Sequence, residues 1–189
     1  MSLSVFLPYF GGAVAYAAAA LLVGLGALRL IGRAPGWRVA PAAFLTLFFI
    51  ALTQHPFPDP SSLECPVASA TPQLQPFDFL DALRALWARG APPLEWVANR
   101  VFAASTMNYL LLAMIGFALS PLALRFRAAL AFGVGLTCLV EATQLTGVWG
   151  LFPCAYRQFN VDDLILNSLG VISGFLFGRM IFPAWRTRG

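Results

Sequence analysis

Five apolar runs, each near the length that crosses a bilayer, leave this chain few folds to adopt. A membrane-spanning helix needs about 20 predominantly apolar residues. Such runs extend from about Pro8 to Ile31, Val39 to Thr53, Trp96 to Leu119, Ala128 to Gly147 and Val161 to Phe182. The second is the shortest. Across all 189 residues, 59% are hydrophobic and 11% are charged, whereas a soluble domain carries about 25% charged residues. The expected architecture is therefore all-α: a polytopic transmembrane bundle of about five spanning helices, forming one integral membrane domain over residues 1–189.

Charge sets the expected orientation. The net charge of +4 comes from twelve arginines and no lysine. In a soluble protein that excess would suggest nucleic acid, but here the arginines gather at helix ends, and membrane orientation accounts for them without a nucleic-acid partner. Arg29, Arg33, Arg38, Arg125, Arg127, Arg179, Arg186 and Arg188 fall on one side, and Arg84, Arg89, Arg100 and Arg157 on the other. The positive-inside rule places the first group in the cytoplasm. The N-terminus is then outside and the C-terminus inside. Met1 to Gly12 lacks the basic start of a cleavable signal peptide, so the first helix is expected to be retained. All eight acidic residues lie on or near the outer side.

The outer connection from Gln54 to Glu95 holds eight of the 14 prolines. His55 to Pro76 is expected to lack regular structure. Beyond it, Phe79, Leu80, Leu83, Leu86 and Trp87 share one arc of a helix, with Asp78 as the expected N-cap. This helix either lies on the outer membrane surface as an amphipathic anchor or packs over the bundle.

The densest chemistry sits where two spans meet. Arg157, Asn160, Asp162, Asp163 and Asn167 load the start of the fifth span, and Glu141 and Gln144 interrupt the fourth. Charged groups within a span cost about 2.5–3.5 kcal/mol each on insertion scales, so a cluster of this kind needs a use or a compensating network. Asp163, Asn167, Gly170 and Gly174 recur at helical spacing and form one stripe. Thr137, Glu141 and Gln144 form another. A connection from Val148 to Asn160 makes the two spans antiparallel neighbours, so the stripes can meet at one depth. Asn108 in the third span is placed to form the floor. Gly170 and Gly174 allow another helix to approach closely. Structural readings stand beside the functional one: Asn160, Asp162 and Asp163 as helix caps, Glu141 as a partner of Arg157, and Asn108, Gln144 and Asn167 as interhelical hydrogen-bond glue.

These residues resemble the VanZ-like family of membrane proteins. That family carries a Glu-x-x-Gln pair, matched here by Glu141 and Gln144. Its Arg-x-x-Asp-x-x-Asp-x-x-x-Asn-x-x-Gly-x-x-x-Gly signature is matched by Arg157, Asp163, Asn167, Gly170 and Gly174. Asn108 and Gly116 match an Asn-bearing helix upstream. The resemblance spans roughly residues 100 to 182. Asn160 departs from it, standing where the family usually has Asp; Met114 replaces a common Pro and Leu112 a common Phe. The resemblance implies an association with resistance to lipoglycopeptide antibiotics such as teicoplanin.

Metal and nucleophile motifs are absent from the sequence. His55 is the single histidine, so a zinc site is not expected, and no cofactor is implied. No nucleophile elbow or phosphate-binding loop occurs. Cys65 and Cys154 both fall in outer connections, where they either pair in an oxidising compartment or remain free thiols; Cys138 lies within a span. Three function classes follow. The favoured one is an outward-facing polar pocket that binds an envelope lipid, a lipid-linked cell-wall precursor or a lipoglycopeptide. In the second, a membrane-embedded enzyme uses Glu141 and Asp163 as an acid–base pair, with Arg157 on a phosphate headgroup. The third is a small proton-coupled transporter, disfavoured by the short chain and the lack of an inverted repeat. The expected location is the bacterial plasma membrane, with membrane lipids as partners.

Overall fold

The computed structural model describes residues 3–33, 35–54, 59, 63, 65, 71–155 and 157–182. Hydrocarbon offers no hydrogen-bond partners, so a spanning segment must satisfy its own backbone, and the apolar runs do so as helices. In chain order these are α1 (Leu3–Leu30), α2 (Val39–Gln54), α3 (Phe79–Ala88), α4 (Pro93–Ala98), α5 (Arg100–Leu119), α6 (Phe126–Leu145) and α7 (Val161–Ile181). Helix makes up 75% of the fold, with no strands among the described residues. Four helices are long and apolar enough to span a membrane, and α2 is a shorter apolar helix. The chain is a multi-pass membrane protein.

The third run does not form one continuous helix. Asn99 takes an extended conformation (φ −72°, ψ 122°) and its side chain accepts a hydrogen bond from the Phe102 amide at 3.0 Å. An Asn in this geometry satisfies one of the free amides at a helix start, so α5 begins at Arg100. Trp96 belongs instead to α4, where its ring meets Phe102 edge-on.

α7 is the central helix. It packs against α5 on one side and α6 on the other, while α1 and α2 form an antiparallel hairpin that leans on α5 through α2. The α5–α7 contact depends on small residues from both helices. A Cβ at Gly170 would overlap the Tyr109 carbonyl, one at Gly174 the Ala113 carbonyl, and one at Gly116 the Val171 carbonyl. Leu112, Ile115, Val140, Val171, Phe175 and Phe49 fill the core between the helices.

The two ends of the bundle differ. One end, the loop end, carries the end of α2, α3, α4, the start of α5, the end of α6 and the start of α7. The other, the arginine end, carries Arg29, Arg33, Arg38, Arg125, Arg127 and Arg179. At the loop end, α6 leads into a left-handed turn at Gly147–Gly150, with positive φ at Gly147, Val148, Trp149 and Gly150. The Thr146 hydroxyl accepts from the Trp149 amide across this turn. The following segment returns over the bundle and joins Cys154 to Cys65 in a disulfide.

Much of the outer connection, His55 included, lies outside the described residues. Its last part is more regular than expected. Gln73 pairs in parallel with Asn160: its amide donates to the Phe159 carbonyl at 2.8 Å, and its carbonyl accepts from Val161 at 3.0 Å. Helix α3 follows. Leu86 is buried, Phe79, Leu80 and Leu83 are half-buried, and Trp87 is 80% exposed. Asp78 is not the cap: its backbone is helical and its side chain makes no capping bond.

Candidate functional site

The group that caps α3 comes from α7. Asp162 is buried, and its carboxylate accepts from the Phe77 amide at 2.5 Å and the Phe79 amide at 3.0 Å. A carboxylate at a helix N-terminus satisfies free amides and complements the helix dipole. Both Asp162 oxygens are therefore committed to holding α3 down, which sets Asp162 apart from the other acidic residues of the cluster. Asn160 caps α7 itself, accepting from the Asp162 amide at 2.9 Å. Asn and Asp are near-equal at this position, so the Asn in place of the family Asp keeps the helix start.

The remaining acids meet neutral donors. Glu141 is 3% exposed and accepts from the Asn160 backbone amide at 3.0 Å. It lies four residues before the end of α6, about one helical turn deep. Asp163 accepts from the Asn108 side-chain amide at 2.8 Å, which ties α7 to α5. Thus the backbone of the turn entering α7 holds one carboxylate and a neutral amide holds the other.

Arg157 forms no ion pair or hydrogen bond with the described residues, although its charge acts on Glu141. A direct Glu141–Arg157 pair is therefore absent. The salt bridges among the described residues, Arg84–Asp81 and Arg89–Glu95, lie in the α3–α4 segment and are exposed.

Two amides serve the interhelical contacts. Asn167 is buried and donates to the Thr137 hydroxyl at 2.8 Å, joining α7 to α6, while its carbonyl oxygen has no partner. Gln144 is buried and donates to the Thr53 carbonyl at 3.1 Å, which ties α6 to the end of α2. Gln144 thus faces α2 rather than the carboxylates, as its position one turn beyond Glu141 permits. Gly116, Gly170 and Gly174 lie in the α5–α7 seam, outside the polar cluster.

Asn108, Glu141, Arg157, Asn160, Asp162, Asp163 and Asn167 therefore come together around the loop end of α7. Sequence reasoning missed Thr137 as a direct partner of Asn167 and Phe77–Phe79 as the target of Asp162. The first was signalled by the Thr137–Glu141 spacing; the second had no local signal, because the partners lie about 85 residues apart. No group of three or more metal-ligating side chains occurs among the described residues. Chemically, the cluster offers two carboxylates held by neutral donors, a guanidinium with no direct ion pair among the described residues and a half-satisfied buried amide.

No curated protein and no solved structure matches the chain. The VanZ/LLP1 family model matches residues 42–182, from the first turn of α2 through the end of α7, and so includes every residue of the polar cluster; the chain belongs to the VanZ/LLP1 family.

Proposed function

We propose that this VanZ-family protein sits in a bacterial plasma membrane with its loop end outside, and that the polar cluster recognises the anionic headgroup of an envelope lipid, a lipid-linked cell-wall precursor or a lipoglycopeptide. One observation carries this reading: among the described residues Arg157 makes no direct ion pair or hydrogen bond, although two carboxylates lie in the same cluster. Its hydrogen-bonding edge is then open to a phosphate or carboxylate ligand, for which a guanidinium is geometrically suited. Through the family, the reading connects to teicoplanin-type resistance.

A second reading is supported by the closeness of Glu141 and Asp163: the Asp163 charge acts on Glu141. Two carboxylates on adjacent helices, beside a free guanidinium, can act as acid and base on a bound headgroup. An isosteric variant separates the two readings. Four strains are compared at matched membrane levels: null, wild type, Glu141→Gln and Arg157→Gln. Envelope lipids and cell-wall precursors are profiled by mass spectrometry, and teicoplanin susceptibility is measured. Recognition alone predicts an unchanged profile with altered susceptibility in Glu141→Gln. A species that needs wild type and disappears in Glu141→Gln makes the protein an enzyme. Full wild-type behaviour from both Glu141→Gln and Arg157→Gln would remove the cluster from function.

A further inference from the structure

A groove of about 930 Å³ runs along the bilayer-facing side of α5, away from the polar cluster. Its walls are Leu110, Met114, Phe117 and Phe177, all 36–55% exposed, with Gly174 at its floor. Its lining on α5 runs from Met107 to Ala118, about 17 Å of helical rise. Half of a bilayer's hydrocarbon core is about 15 Å, so the groove spans a full leaflet. Trp37 and Arg38 close its arginine end, with the Arg38 guanidinium 5.8 Å from the Trp37 ring centre. Tryptophan and arginine are side chains that sit at headgroup level.

Charge indicates what the groove holds. Every described Asp and Glu falls in a segment at the loop end, while six described arginines stand at this one. The salt bridges of the described residues also lie at the loop end. Among the described residues, no acidic side chain pairs with Arg38. Lipid phosphates are the anions available at that depth, and basic side chains there attract anionic lipids.

We infer that this groove is a lipid site in the leaflet at the arginine end: one acyl chain of an anionic phospholipid lies along α5, with its phosphate on Arg38. The site is separate from the polar cluster and does not depend on how that cluster functions.

The test uses the full chain, reconstituted into vesicles of phosphatidylglycerol and phosphatidylcholine with identical acyl chains. The protein is extracted in mild detergent, and retained lipids are counted by native mass spectrometry. Wild type retains phosphatidylglycerol in preference to phosphatidylcholine. Arg38→Gln lowers that preference about fivefold, the effect of one basic contact at a membrane surface, and Arg38→Lys restores most of it. Met114→Trp fills the groove from its lipid-facing wall and lowers retention of both lipids, which keeps a test available if Arg38→Gln fails to fold. Equal retention of the two lipids by wild type, or an unchanged preference in folded Arg38→Gln, overturns the inference. So does a dimer that Met114→Trp dissociates without changing lipid retention, because a second copy would then occupy the groove.

Discussion

Asp162 and Asp163 are neighbours in sequence and do different work, because successive side chains on a helix point about 100° apart. Asp163 faces α5 and binds Asn108, while Asp162 faces the loop and holds the start of α3. The divergence was legible from helical geometry. The identity of Asp162's partners was not, since backbone amides carry no residue signature and these belong to a distant loop. The arrangement makes Asp162 a structural latch. Asp162→Ala leaves two backbone donors without their acceptor, at a cost on the order of 2 kcal/mol. The expected result is a lower melting temperature and faster hydrogen exchange at the Phe77 and Phe79 amides. Asp163→Asn, which touches neither amide, leaves their exchange unchanged. Equal exchange in both variants would show that α3 is held by other contacts.

At the scale of elements, α7 depends on two different neighbours. Its polar residues reach both of them, Asp163 to α5 and Asn167 to α6, and its glycines let the α5 backbone come into direct contact. The periodicity of Asp163, Asn167, Gly170 and Gly174 made the stripe visible in the sequence. It left open which helix the glycines would meet, because a small-residue stripe specifies close approach without naming a partner. The break before α5 escaped notice for a related reason: Trp96, Val97 and Ala98 continue the apolar run, and only the side-chain cap of Asn99 stops it. Gly174 gives the sharpest element-scale test. Gly174→Leu sets a side chain against the Ala113 backbone, which cannot withdraw as a side chain can. Overpacking of this kind costs about 1–3 kcal/mol or more, so the variant should lose folded yield and helix–helix association in detergent. Gly135→Ala is the control, with open space around its Cβ; it should be neutral or slightly stabilising, by up to about 1 kcal/mol. A Gly174→Leu protein as stable as wild type would mean that α5 and α7 are not held at this distance.

For the whole molecule, orientation connects the polar cluster to its environment. The fold class and the spans follow from apolar run length, and the uneven arginine distribution is the basis for the proposed cytoplasmic arginine end. The pairing of Cys65 with Cys154 could not be read from two loop positions, because proximity depends on how the chain returns after α6. The left-handed turn at Gly147–Gly150 and the Gln73–Asn160 bridge bring the two segments together. A disulfide persists where the compartment is oxidising, so it supports the proposed orientation, with the loop end facing away from the cytoplasm, independently of the arginines. The two lines of reasoning can be tested together. In a Cys138→Ala background, Leu94→Cys and Trp37→Cys each place one free thiol on an exposed side chain, at opposite ends of the bundle. A membrane-impermeant maleimide applied to intact cells should label Leu94→Cys and spare Trp37→Cys until the cells are opened. Without either added cysteine, the background protein should take up label only after reduction, from Cys65 and Cys154. Labelling of Trp37→Cys in intact cells would invert the molecule. It would also place the disulfide in a reducing compartment and the polar cluster on the cytoplasmic side, where an external antibiotic would have to cross the membrane to reach it.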